Sequence, residues 1–241
     1  MNYVLLTAFL LAAAVYGQDE VTAEVWEGSL SAGGLFTSGN TEVSQVDAGL
    51  ELTRLLAGPD FTVKLKSSAT YGRQEEETYQ ESYLSTLTLT YRFTENNYAT
   101  ASGYWTRDDF AGVSHEYGAT AGLGRRLIHT GDFSASLEAG AGFLSRENTQ
   151  GEELETSTGY TGLDLELLLG DSWTLTEDYT FTLDLQDSDN YSMESVFEAA
   201  SSITGSLSLV LGYDLVYHNV PPVEGNEKTD TAMRVQLRLS I

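Results

Sequence analysis

The hairpin over residues 205–241 constrains the fold more than any other stretch. Leu207, Leu209, Leu211, Tyr213, Leu215 and Tyr217 fall at every second position, with Ser206, Ser208, Gly212 and Asp214 between them. After a polar link, Thr231, Met233, Val235, Leu237, Leu239 and Ile241 repeat the pattern against Asp230, Arg234, Gln236 and Arg238. Strict period-2 alternation marks a strand with one apolar and one polar face. The sequence ends on the second strand, and a long strand with a free edge needs a neighbour. Closing the sheet back onto the first strand removes both edges.

The same pattern recurs along the chain, and strands are expected at about 25–37, 42–55, 60–72, 79–92, 96–106, 115–127, 132–145, 156–169, 172–185, 190–201, 205–218 and 229–241. These make twelve, an even number. No run after the N-terminus approaches the ~20 apolar residues of a spanning helix. A closed barrel, however, spans a membrane with alternating segments of about 10 residues that look only half hydrophobic. The expected fold is therefore all-β: a closed antiparallel transmembrane β-barrel of about 12 strands over residues 25–241. The apolar run VLLTAFLLAAAV (4–15) is too short to span and reads as the centre of a signal peptide, residues 1–17. A polar tail, 18–24, follows it on the periplasmic side.

The links between strands alternate in character. Leu56-Ala57-Gly58-Pro59, Thr94-Glu95, His129-Thr130-Gly131, Gly170-Asp171 and Ser202-Ile203-Thr204 are tight, whereas RQEEET, TRDDFAGVS, SRENTQGEELE and HNVPPVEGNEK are longer and mostly acidic. Outer-membrane barrels have short periplasmic turns and longer external loops. Counting from a periplasmic N-terminus puts the acidic links outside. Aromatic residues such as Trp105, Phe133, Phe143, Trp173 and Tyr217 drift toward strand ends, where membrane interfaces would lie.

Trp26-x-Gly28 followed by Gly33, the Ser38-Gly39-Asn40-Thr41 turn, Gly122-Leu123-Gly124-Arg125-Arg126, and Pro221-Pro222 followed by Lys228-Thr229-Asp230 carry a resemblance. The chain resembles the family called domain of unknown function 481, described as salt-induced outer-membrane proteins, over essentially residues 25–241. The resemblance implies an outer-membrane barrel without an established biochemical activity.

The net charge of −24, from 36 acidic against 12 basic residues, disfavours nucleic acid as a partner, because phosphate contacts need clustered Lys and Arg. The expected partners are outer-membrane lipid and lipopolysaccharide, the latter bridged to acidic loops by divalent cations, and the barrel-assembly machinery. The barrel is read as a monomer without a cofactor. Without Cys there is neither a disulfide framework nor a thiolate metal site.

Few constellations suggest chemistry. In Ser114-His115-Glu116 the histidine leaves the face that its neighbours share, so the tripeptide forms no triad, although Asp108 or Asp109 could reach His115 or His218 at the rim. Asp187-Ser188-Asp189-Asn190 opens like a calcium loop but lacks Gly at its sixth position and Glu at its twelfth, which favours an Asx-rich turn.

The polar faces are more informative. If apolar faces meet lipid, Asp47, Glu51, Lys64, Lys66, Glu116, Arg126, Glu138, Asp164, Glu166, Asp178, Asp184, Glu194, Glu198, Asp214, Arg234 and Arg238 point inward. Glu177 stands out on the apolar face of its strand. Twelve strands lie between barrels filled by side chains and those with a wide channel. The expected function is a narrow cation-preferring passive channel or an envelope scaffold, not an enzyme. The rival readings are a rim-located outer-membrane hydrolase and a secreted soluble β-sandwich that binds a ligand. Strands of eleven to fourteen residues, against a usual 5–6, weigh against the sandwich.

Overall fold

The computed structural model describes residues 26–37, 43–56, 60–74 and 77–241. The expected signal peptide (1–17), the polar tail (18–24), the turn at 38–41 and the pair Glu75 and Glu76 lie outside the described residues.

Alternation becomes twelve strands: β1 (Trp26–Thr37), β2 (Val43–Leu56), β3 (Phe61–Gln74), β4 (Glu77–Arg92), β5 (Asn97–Asp108), β6 (Val113–His129), β7 (Phe133–Asn148), β8 (Glu153–Leu169), β9 (Trp173–Asp184), β10 (Tyr191–Ser202), β11 (Leu207–His218) and β12 (Thr229–Ser240). Each pairs antiparallel with its sequence neighbours, and β1 pairs with β12 to close the barrel. The closing register runs from Ser29↔Ser240 to Gly33↔Gln236, and Gly28 and Ile241 exchange backbone hydrogen bonds of 3.0 and 2.9 Å below it.

The two faces of this sheet are inverted relative to a soluble protein. Leu87, Leu123, Leu137, Phe143, Leu211, Met233, Val235 and Leu237 are exposed on the outside. Buried apolar residues are few, and among the described residues they are Val113, Ala135, Leu144, Val210 and Val223. Exposed apolar surface costs roughly 25 cal/mol per Å² in water, so a belt of this kind is stable only against an apolar medium. Closure complements it by pairing every strand edge, the requirement for backbone in such a medium.

The acidic links are shorter than the sequence reading, because the ladder continues through them. Glu147 pairs with Glu153, leaving only residues 149–152 between β7 and β8, and 109–112 alone join β5 to β6. Antiparallel pairing needs backbone, not apolar side chains, so polar strand extensions carry no hydrophobic period by which to recognise them. Gly112 and Gly151, with φ of 86° and 82°, make two of these turns. The longest described link, 219–228, joins β11 to β12.

Candidate functional site

The inner face of the barrel gathers its charges through register. Glu51 on β2 sits directly opposite Lys66 on β3. Lys64 Nζ lies 2.9 Å from Glu51 Oε1, and Lys66 Nζ lies 4.0 Å from Oε2. Lys66 Nζ also lies 3.8 Å from Asp178 Oδ2 on β9. Strands β4 to β8 separate β3 from β9 on one side, and β10, β11, β12, β1 and β2 on the other. The Lys66–Asp178 contact therefore crosses the lumen along a diameter. Both side chains remain 51% and 47% accessible, so the lumen is open to water at this level.

Asp178 stands directly opposite Asp164 on β8, with Glu166 one inward position further on. Glu194 on β10 pairs with Thr180, on the same inner face as Asp178. On the adjoining wall Arg234 reaches Asp214 at 2.6 Å and Glu198 at 3.9 Å, and Arg238 reaches Glu198 at 2.6 Å. Lys64, Lys66, Arg146, Arg234 and Arg238 thus each have a carboxylate partner. Asp164, Glu166 and Glu194 have no salt bridge among the described residues. The negative surplus of the lumen is concentrated on β8 to β10. Arg126 occupies the inner face of β6, opposite Ser136.

Three inward acids serve the wall. Asp184 is buried and accepts from Thr156 Oγ1 at 2.5 Å, Asn190 Nδ2 at 3.1 Å and the backbone N–H groups of Gln186 and Asp187. Asp47, also buried, accepts from Thr70 Oγ1 at 3.0 Å and Gln45 Nε2 at 3.2 Å. Glu138 accepts from Thr100 Oγ1 at 2.7 Å and Tyr160 OH at 2.5 Å.

Sequence reasoning passed over the inward tyrosines. The Tyr104 ring occupies the space above Gly118, Tyr98 that above Gly124, and Tyr160 that above Gly122 and Gly140, so a Cβ at any of these glycines would strike a ring. The recoverable signal is glycine at alternate, inward positions of β6, which places aromatic rings flat on bare backbone. Tyr104 OH donates to Glu116 Oε1 at 2.9 Å, and Arg146 Nε donates to Glu116 Oε2. The Arg146 and Glu116 side chains are only 14% and 9% accessible, against about half for the mid-lumen pair. The barrel is packed at its loop end and hydrated at its middle.

At the rim, Asp108 accepts from the backbone N–H groups of Phe110 and Ala111 at 3.1 and 2.9 Å. Asp109 accepts from Arg107, and this hydrogen bond holds its carboxyl below the ordinary carboxylate range. His115 stacks on Trp105 with centroids 6.4 Å apart, on the opposite side of the sheet from Glu116. Neither aspartate hydrogen-bonds to the histidine. The 187–190 segment is a turn in which Asp187 Oδ1 accepts from Asp189 N at 3.0 Å. Glu177, on the outer face, accepts from Ser195 Oγ at 2.6 Å.

A closed twelve-stranded antiparallel sheet with an apolar exterior and a charged lumen defines a barrel of the outer-membrane type. The chain belongs to the family described as a protein of unknown function, DUF481, which matches residues 30–241. It is 24% identical over 218 residues, 90% of this chain and 83% of the relative, to the uncharacterized protein YdiY of Escherichia coli (strain K12). Among solved structures it is similar to an outer membrane channel from Pseudomonas putida F1, with a TM-score of 0.54, 12% identity, and coverage of 94% of this chain and 99% of the other. It also matches the NanC porin at a TM-score of 0.49 and 10% identity, over 88% of this chain and 97% of the porin. At 12% identity the likeness to the channel is one of fold.

Proposed function

We propose that this barrel resides in the bacterial outer membrane and acts as a narrow, cation-preferring passive channel. The observation that supports this reading most strongly is the hydrated mid-lumen, where Lys66 reaches Asp178 across the barrel while Asp164, Glu166 and Glu194 make no salt bridge among the described residues. A low-dielectric wall around a narrow pore focuses the field of such carboxylates, enriching cations over anions. The crossing also limits what passes to small ions and solutes. In this reading the apolar exterior meets outer-membrane lipid, and the acidic rim meets lipopolysaccharide through divalent cations.

The test is a reversal potential in a planar bilayer under a salt gradient. Cation preference should be plain at ~0.01 M and largely gone at ~1 M, where the screening length falls to about 3 Å. Changing Asp164 and Asp178 together to Asn should move the low-salt reversal potential toward zero. Anion preference, absence of conductance, or indifference to these changes at low salt would each refute the channel.

A further inference from the structure

We propose that the β11–β12 link, residues 219–228, is a lid that closes the loop-end mouth of the barrel and must lift for solutes to pass. Topology makes its contacts unusual. Four strands, β7 to β10, separate β11 from β6, and four more, β1 to β4, separate β12 from β5. The β5–β6 link is thus diametrically opposite, yet the lid reaches it. Asn226 Nδ2 donates to Ala111 O at 3.4 Å, and Val223 packs on Gly112, with Val223 Cγ2 2.7 Å from where a Cβ on that glycine would stand. Beside this seat, Pro222 O accepts from Asn148 Nδ2 at 2.9 Å, at the end of β7, where Asn148 pairs with Val113. A link that touches neighbouring rims could simply lean on them, whereas one anchored on the opposite rim must cover the opening.

The seat is built for an apolar contact. Val223 is 9% exposed and Asn148 4%, in a protein whose other apolar side chains mostly face outward. Gly112, with φ of 86°, supplies both the turn and the bare backbone that admits the valine methyl. The turn at the tip is closed by Asn226 N donating to Val223 O at 3.2 Å, with Gly225 at a φ of 95°. The feet are tied separately. His218 N donates to Lys228 O at 2.8 Å, Lys228 Nζ to Asn219 Oδ1 at 3.1 Å, and Asn219 Nδ2 to Asp189 O at 2.8 Å. The far contacts therefore amount to one valine and two amide hydrogen bonds, beside a fully paired ladder, and local opening follows the weaker element. The gating role rests on the channel reading, but seating and release of the lid do not.

The native chain contains no Cys, so a double variant, Gly112→Cys with Val223→Cys, introduces a single possible disulfide. The Gly112 Cβ position lies 3.3 Å from Val223 Cβ, next to the ~3.5–4.5 Å range of disulfides. Glu224, exposed at the tip of the link, supplies a site for a glutamate-specific protease in the lid itself. The reconstituted protein is compared oxidised and reduced, reading cleavage after Glu224 and bilayer conductance. Oxidation should slow cleavage by at least about tenfold and suppress conductance, and reduction should restore both, since proteolysis of a locally opened segment follows its open population. Equal cleavage and conductance in the oxidised, cross-linked protein and in its reduced form overturns the lid. Val223→Ser, which spares Gly112, should by itself accelerate cleavage; if it does not, the lid also fails. Redox-dependent cleavage in a protein that never conducts would uphold the lid and refute the channel.

Discussion

A methyl group added at Gly118 would fall within the ring of Tyr104, whose hydroxyl is already committed to Glu116 and, through it, to Arg146. Overpacking of this kind typically costs about 1–3 kcal/mol. Gly103 lies on the neighbouring strand, and the nearest obstacle to a Cβ there is Gly118 O at 3.9 Å. We predict that Gly118→Ala lowers the urea midpoint of the detergent-folded barrel whereas Gly103→Ala leaves it nearly unchanged. Equal effects at both glycines would show that the ring is free to move away. At this scale the sequence was legible in part. Period 2 predicts which side a charge takes, but not that Asp184 and Asp47 are consumed by hydrogen bonds from their own wall while Asp164 and Glu194 stand without a salt bridge among the described residues. Those differences come from cross-strand partners and from residues near a turn, which alternation does not encode.

At the scale of the strand, facing governs the cost of charge. Leu211, in mid-β11, is exposed on the apolar exterior, and an arginine there should destabilise the barrel by about 2–4 kcal/mol. Thr180, in mid-β9, sits on the inner face directly opposite Glu194, so Thr180→Arg gains a carboxylate neighbour and should cost far less. Denaturation in lipid vesicles distinguishes them, and similar losses for both would mean that the assigned faces are wrong. The twelve strands and their closed order were legible because lipid-facing apolar residues set the period directly. The strand ends were not, since β7 and β8 run on through Glu147 and Glu153, whose side chains carry no apolar rhythm. Nor did the composition of the 219–228 link disclose its reach, because a valine between prolines and a glycine turn reads as ordinary loop until Gly112 is seen beneath it.

For the molecule as a whole, closure was inferable from free edges, whereas the distribution of packing around the ring was not. Most of the tyrosine seats lie within the four consecutive strands β5 to β8, with Tyr98 and Tyr104 on β5, their glycines on β6, and Tyr160 on β8 above Gly122 and Gly140, whereas a further seat, Tyr79 above Gly72, joins β4 to β3. The closing pair, β1 with β12, joins residues some two hundred positions apart through the short register from Ser29 to Gly33. Contacts near in sequence form before distant ones, because loop-closure entropy must be met first. This asymmetry gives the barrel an order in time. The β5–β8 block should form as an early curved patch, with β4 and β9 adding at its margins and the β1–β12 seam last. We predict that, during refolding into micelles, a variant retaining only Trp105, on β5, reaches its native fluorescence before one retaining only Trp173, at the start of β9. Simultaneous signals, or Trp173 leading, would mean that the ring condenses everywhere at once. A patch that forms first on the chain's middle third would also leave both ends of the polypeptide as late arrivals, so that lesions in the seam should slow maturation without preventing the first collapse.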